Sequence, residues 1–412
     1  MTIEQRIREA EEKLQDTFAR AEKVEAFWTR RILDAYRDRE ISYRHFAGTT
    51  GYGNGDIGRD ALEGVFADVF GCEAAIVRPS IASGTAALAM AVFGLARPGE
   101  TVVSATGRPY DTMEEVLGIC EAPVTGSCAE YGIGYRQVDL KADGGIDVDA
   151  VDRAIDESVH LVIAQRSRGY SWRASLQPEA FAPLADMIHR KHPGVMLMVD
   201  NCYGEFVAMT EPSMQGADVC VGSLIKNPGG GLAPTGGYMV GTQEAIEKIA
   251  ARVTAPGIGR EVGSYQTGYQ AFFQGLFMAP HTVAQAIRTA CLAAQVFTDL
   301  GMETSPAPDA PRSDIIQAIQ LKQPDQLIRF CQGIQMASPI DSMAMPEPWD
   351  MPGYSDQVIM AAGTFVAGAS IELSADGPMR EPYIAYLQGS LTYVHGRLAL
   401  MEALRHMGYH EN

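Results

Sequence analysis

No stretch of the 412 residues approaches 18 consecutive apolar side chains, so no helix is expected to cross a membrane. The opening segment, MTIEQRIREAEEKLQ, lacks the apolar core and small-residue cleavage site of a secretory signal. Cysteine is sparse. The seven, at positions 72, 120, 128, 202, 220, 291 and 331, are odd in number and form no CxxC, which argues against a disulfide framework or a cysteine zinc site. Buried free thiols in a reducing cytoplasm are the expectation. The eight histidines are scattered, and no metal site is expected. Basic residues are short as well: 33 Lys and Arg face 51 Asp and Glu, for a net charge of −18. Such a surface repels phosphate backbones and anionic membranes, which disfavours nucleic-acid and membrane partners. It does not exclude an anionic cofactor, because a buried site sets its own field.

What is present fits a globular enzyme. Apolar residues make up 46% and charged residues 20%. The length calls for one large domain plus a smaller one. Residues 1–42 read as helix, with Ile3, Ile7, Ala10, Leu14, Phe18 and Ala21 at three- and four-residue steps. This arm would pack on the body or on a partner subunit. Residues 43–60 are too rich in glycine for a regular element and read as a loop. A helix is expected over 61–70 and another over 85–96. Short apolar runs follow one another at Ala74–Val77, Thr101–Ser104, Leu161–Ala164, Val195–Val199, Asp218–Val221 and Gly237–Val240, separated by helical stretches. Unbroken apolar runs of this length are strands buried on both faces, so the fold class is α/β, with a mostly parallel sheet between helices. A long helical section is expected over 262–298. A Pro-rich joint at 305–312 then leads to an α+β remainder. The expected division is an arm and loop over 1–50, a large domain over 51–298 and a small C-terminal domain over 299–412.

Three segments carry chemistry. In Gly222-Ser223-Leu224-Ile225-Lys226-Asn227-Pro228, followed by three glycines, a lysine comes directly after a buried strand. At a strand's carboxyl end it would point into the crevice where open α/β sheets bind ligands. Desolvation would lower its pKa and make it a nucleophile, and the glycines would admit a bulky ligand. The plain alternative is a surface lysine in a turn. In Val195-Met196-Leu197-Met198-Val199-Asp200, an acid ends a buried strand. Pyridoxal 5′-phosphate (PLP) needs such a carboxylate against its pyridinium nitrogen, although an Asp here could also simply cap the next helix. In Ile81-Ala82-Ser83-Gly84-Thr85-Ala86-Ala87, a strand turns into an apolar helix, which makes an anion site with Gly84 as the opening and Ser83, Thr85 and Ser223 as donors, or else a plain Ser N-cap.

The order of phosphate turn, then Asp, then Ser-x-x-Lys resembles the fold-type I PLP enzymes. The chain is most similar to the cystathionine β-lyase/methionine γ-lyase-like family, often labelled aluminium-resistance proteins. The likeness runs from about residue 45 to the end, through GYGNGDIGRDALE (51–63), RPSIASGTAAL (78–88), GRPYDTMEEV (107–116), QRSRGYSWR (165–173), VDNCYGEF (199–206), GSLIKNPGGGLAPTGGY (222–238), SPIDSMAMPEPWDMPGY (338–354) and ASIELSADGPMREPY (369–383). The resemblance implies that Lys226 forms the Schiff base and moves protons, that Asp200 pairs with the ring nitrogen, and that Ser83, Gly84, Thr85 and Ser223 hold the phosphate. It implies that Tyr110 stacks on the cofactor and can move a proton, and that Tyr52, with Arg59 beside it, reaches a neighbouring subunit's phosphate site. Arg380 is the first candidate for the substrate carboxylate, or a surface arginine. Arg166 and Arg168 would replace or assist it, or form an ion-pair network.

The expected activity is α,β- or α,γ-elimination of a thiol, or of a related leaving group, from cystathionine, cysteine or methionine derivatives. A homodimer or homotetramer with shared sites is expected. Fold and cofactor residues alone leave open an aminotransferase, a γ-replacement synthase, or a non-catalytic regulator on the same fold.

Overall fold

The computed structural model describes residues 1–120, 122, 124–351, 354 and 356–409. The arm is two helices where one was expected: Ile3–Lys13 (α1) and Gln15–Asp38 (α2). Thr2 and Gln5 close a capping box at the start of α1, and its buried face is Ile3, Ile7 and Ala10. Leu14, itself buried, breaks the helix, and both halves lie against the long helix Gln270–Asp299. The glycine-rich loop ends earlier than the apolar pattern suggested. Asp56 accepts from the N–H groups of Gly58 and Arg59 and so starts Ile57–Phe70 (α3) four residues before Ala61.

The large sheet then forms from Ala74–Arg78 (β1), Thr101–Ser104 (β2), Gly134–Gln137 (β3), Val159–Gln165 (β4), Met196–Asp200 (β5), Val219–Ser223 (β6) and Gly237–Gly241 (β7). Between and after them come Gly84–Leu95 (α4), Asp111–Leu117 (α5), Val148–Ala154 (α6), Ala182–Lys191 (α7), Gln243–Val253 (α8) and Gln270–Asp299 (α9). Strand order is β1-β7-β6-β5-β4-β2-β3. The run from β6 to β3 is parallel, while β7 is antiparallel to β6 and β1 to β7. Alternate residues of one strand enter opposite cores: Leu197 and Val199 one, Met196 and Met198 the other. β3 was not anticipated, because Gly-Tyr-Arg-Gln is a half-exposed edge strand with no apolar run. The helix expected from residue 262 begins at Gln270, and residues 262–269 are a loop and turns.

The second sheet contains Thr304–Ser305 (β8), Gln317–Gln320 (β9), Val358–Ala361 (β10), Ser374–Pro378 (β11) and Ile384–Gln388 (β12), with helices Pro324–Met336 (α10) and Tyr393–His406 (α11). It is antiparallel, in the order β10-β11-β12-β9-β8. α10 and α11 pack so closely that a Cβ at Gly333 would stand 2.5 Å from the Ala403 Cα.

Candidate active site

The parallel strands β4, β5 and β6 all end on one side, and their last residues, Gln165, Asp200 and Ser223, line a single cavity of about 1050 Å³. Residues of the second sheet close its far wall. Ser83, Gly84, Thr85, Tyr110, Arg168, Lys226 and Arg380 line it as well.

Lys226 follows Ser223 in a tight turn, with its N–H donating to the Ser223 carbonyl and its own carbonyl accepting from Gly229. Asn227 pins that turn by donating to the carbonyls of Tyr203 (3.0 Å) and Glu205 (2.9 Å). The Lys226 Nζ lies 3.8 Å from the centre of the Tyr203 ring. A lowered amine pKa was expected. Burial does push that way, but the acidic groups Cys202, Tyr203, Asp200 and Tyr110 outweigh it and hold the free amine well above its ordinary value. The three glycines after the lysine also need correcting, since they do not line the cavity. Gly230 and Gly231 take left-handed φ of 55° and 79°, and a Cβ at Gly230 would lie 2.4 Å from the Gly275 carbonyl on α9. Gly230 thus brings backbone against a helix, and a Cβ at Gly231 would lie 2.3 Å from the Leu391 side chain.

Asp200 is buried at the end of β5, with one oxygen accepting from the Cys202 N–H at 3.0 Å. Burial raises its pKa against the pull of Lys226. At the start of α4, the Ser83 hydroxyl accepts from the Ala86 N–H at 3.0 Å. The N–H groups of Gly84 and Thr85 have no partner among the described residues. A Cβ at Gly84 would sit 3.2 Å from the Ser223 Cβ and 3.6 Å from the Cys202 Sγ, so only glycine keeps this corner open. The Tyr110 hydroxyl is 3.4 Å from the Thr85 hydroxyl, and the Tyr110 N–H donates to the Gln165 side chain at 3.1 Å. Burial pushes the Tyr110 phenol far up, with Asp200 adding to the rise. These groups suit PLP: orphaned donors and hydroxyls for a phosphate, a buried carboxylate for a ring nitrogen, and an amine for the aldehyde carbon.

The arginines separate. Arg168 lines the cavity at 2% exposure. Its Nη2 donates to the Ser305 hydroxyl at 3.1 Å, while Nε and Nη1 have no hydrogen-bond partner among the described residues. Arg380 also lines the cavity, but it is about half exposed and paired with Asp356 at 2.9 Å. Arg166, proposed from the sequence as a substrate group, is not in the cavity wall. It is fully buried against Glu211 (2.9 Å) and the Asn201 side chain (2.7 Å), so it is an internal ion pair. Tyr52 is 75% exposed and does not reach the cavity of its own chain. Arg59 does not reach it either. It is buried, donates to the carbonyls of Gly53 (2.9 Å) and Gly263 (3.2 Å), and ties the glycine-rich loop to the loop before α9.

The far wall was missed from the sequence: Tyr170, Tyr354, Asp376, Tyr386 and Gln388, together with Tyr203 beside the lysine. The available signal was that Tyr203, Tyr170, Tyr354 and Asp376 lie inside the segments VDNCYGEF, QRSRGYSWR, SPIDSMAMPEPWDMPGY and ASIELSADGPMREPY, while Tyr386 and Gln388 lie outside all of them.

Comparison with known proteins agrees with this geometry. The Bacillus subtilis (strain 168) protein YnbB, itself uncharacterized, is 49% identical over 374 residues, spanning 91% of this chain and 89% of that protein. A carbon–sulfur lyase involved in aluminium resistance from Clostridium novyi NT superposes with a TM-score of 0.94 at 47% identity, over 98% of this chain and 95% of that one. The pyridoxal-5′-phosphate-dependent protein YhfS from Escherichia coli shares the fold alone, with a TM-score of 0.61 at 16% identity over 95% and 96% of the two chains. The fold is thus the type I fold of PLP-dependent enzymes. The methionine γ-lyase family model matches residues 3–408, and the chain belongs to that family.

Proposed function

We propose that this chain is a PLP-dependent carbon–sulfur lyase. It would release a thiol from Cβ or Cγ of an amino acid such as cystathionine or a cysteine or methionine derivative. The observation that carries the reading is the convergence of Lys226, Asp200 and the open α4 N-terminus on one cavity at the carboxyl ends of parallel strands. When bound, the cofactor supplies the electron sink that makes an amino acid's α-proton removable. Lys226 Nζ takes that proton and returns protons later, as general base and then acid. Asp200, with one oxygen held by the Cys202 N–H, keeps the ring nitrogen protonated. The N–H groups of Gly84 and Thr85, with the hydroxyls of Ser83, Thr85 and Ser223, bind the phosphate. Tyr110 covers the ring and holds a proton at its phenol oxygen near the leaving group.

Two observations support Arg168 over Arg380 as the fork for the substrate α-carboxylate. Arg168 is buried with two unpartnered nitrogens, whereas Arg380 is half exposed and already paired with Asp356. The large domain over 51–298 brings the cofactor groups and Tyr170, and the small domain over 299–412 brings Tyr354, Asp376, Tyr386 and Gln388 to the far wall. We further propose a cytoplasmic homodimer or homotetramer. Seven free cysteines and an exposed Tyr52, available to a neighbour's phosphate site, support this.

The test is absorbance with PLP added, followed by keto-acid assay with L-cystathionine, L-cysteine and L-methionine. A band near ~420 nm that Lys226→Ala removes, with pyruvate or 2-oxobutyrate formed, is expected. No band in the wild-type protein overturns the reading. A band without keto acid moves the chain to transamination or replacement.

A further inference from the structure

The part of the cavity wall built by the second sheet contains a carboxylate that the reaction above does not use. Asp376 lies in β11, a strand paired on both sides, opposite Tyr386 of β12 and Met360 of β10. It is 7% exposed and lines the same cavity as Lys226. One oxygen accepts from the Gln388 amide at 2.8 Å; the other makes no hydrogen bond of ordinary length among the described residues, with the Tyr170 hydroxyl close enough to favour its charged form. Among the described residues it makes no ion pair. Burying a carboxylate without a counter-charge is expensive unless something else supplies that charge. Around it stand three phenol rings. Tyr170 is 5.1 Å from Tyr386 and 5.7 Å from Tyr354, centre to centre, and all three line the cavity. Aromatic rings beside a carboxylate with no counter-charge make a receptor for an ammonium group.

We infer that Asp376 is a specificity-determining residue that binds a second, distal ammonium group of the substrate. The preferred substrates are then thioether amino acids with an amino group at both ends, over those with one. This rests on the lyase reading for its chemistry, while the recognition itself does not require bond cleavage. The α-amino group would sit at Lys226 with its carboxylate at Arg168. The thioether would cross the cavity, and the far ammonium would meet Asp376 between Tyr170 and Tyr386. Burial already favours the neutral acid, with only the Tyr170 hydroxyl and the Gln388 amide opposing it. A bound cation would shift that balance toward the carboxylate.

The experiment compares wild-type and Asp376→Asn holoenzymes on L-cystathionine and S-ethyl-L-cysteine, which present the same Cβ–S bond with and without a distal amine. Asp376→Asn is expected to lower kcat/KM for cystathionine by about 10- to 100-fold, mainly through KM, as for loss of a charge-assisted bond. Turnover of S-ethyl-L-cysteine should stay within about twofold, which also shows that the variant folds and binds cofactor. Equal losses on both substrates, or none on either, overturn the assignment. Titrating the cofactor absorbance with each amino acid gives the two dissociation constants without turnover. If neither enzyme forms keto acid, the lyase reading fails, and the ratio of those constants still decides the role of Asp376. A ratio unchanged by the substitution overturns it.

Discussion

Replacing Asp376 by Asn should stabilise the fold in alkaline solution. Burial pushes the Asp376 carboxyl from an ordinary 3.8 up to about 7. The folded protein therefore holds this proton more tightly than the unfolded chain does. Stability associated with the proton is fully present below the ordinary pKa and is lost as pH rises toward 7. The loss accumulates at about 1.4 kcal/mol per pH unit and levels off beyond that point, roughly 4 kcal/mol in all. About 2 to 3 kcal/mol of it falls between roughly pH 5 and pH 9. Other buried acids titrate in the same window, Glu63 toward about 7 and Glu205 toward about 8. The informative quantity is thus the difference between Asp376→Asn and wild type, in which their contributions cancel. Denaturant unfolding of both proteins across that range gives it. The variant should gain on the wild type by about 2 to 3 kcal/mol as pH rises from 5 to 9. A flat difference, or one that favours the wild type at high pH, would mean that a cation of the chain neutralises Asp376. The ammonium receptor would fall with it.

Two further substitutions test the division among the arginines. Arg168→Gln should raise KM for every amino-acid substrate by about 10- to 100-fold, because it removes a buried carboxylate fork; Arg380→Gln should change KM by only a few-fold. Steady-state kinetics with two substrates would show a reversed order if Arg380 is the fork. Glu211→Gln leaves Arg166 buried without its counter-ion and should cost about 3 to 5 kcal/mol in denaturant unfolding, while the Lys226 absorbance band is kept when the protein is folded. A loss under about 1 kcal/mol would mean that the Arg166–Glu211 pair behaves like a surface one.

The large sheet was readable in the sequence because its central strands are buried on both faces. Met-Leu-Met-Val-Asp and Val-Cys-Val-Gly-Ser are apolar along nearly their whole length, so their ends, and hence Asp200, Ser223 and Lys226, could be placed in advance. The turn that opens α4 was readable because Ser83-Gly84-Thr85 separates a strand from an apolar helix. Errors arose where tertiary contacts override local pattern. The glycines after Lys226 looked like room for a ligand, but Gly230 meets the backbone of α9 and Gly231 the Leu391 side chain. Arg166 and Arg168 look alike in Gln-Arg-Ser-Arg. Yet Arg166 turns toward Glu211, 45 residues further along the chain, and Arg168 faces the cavity. Nothing in the two-residue spacing reveals which does which.

The far wall could not be read for a reason that bears on its purpose. Ser-Ala-Asp-Gly-Pro has the composition of a turn, and Asp, Gly and Pro are all poor in strands. It is nonetheless a fully buried strand paired on both sides. Tertiary pairing holds it there against propensity, and the carboxylate at its centre adds a desolvation cost that Ala or Val would avoid. Local preference and fold usually agree, and places where they conflict are the ones where something other than stability is being selected. Asp200 makes the same sacrifice, ending an apolar strand as a buried acid whose pKa is raised by its surroundings. The two acids line one cavity, Asp200 from the large sheet and Asp376 from the second, and Lys226 pulls on the first. The proposed pairing of Asp200 with the cofactor's ring nitrogen accounts for the cost at Asp200. The cost at Asp376 calls for a ligand of its own, and the charge it lacks is positive.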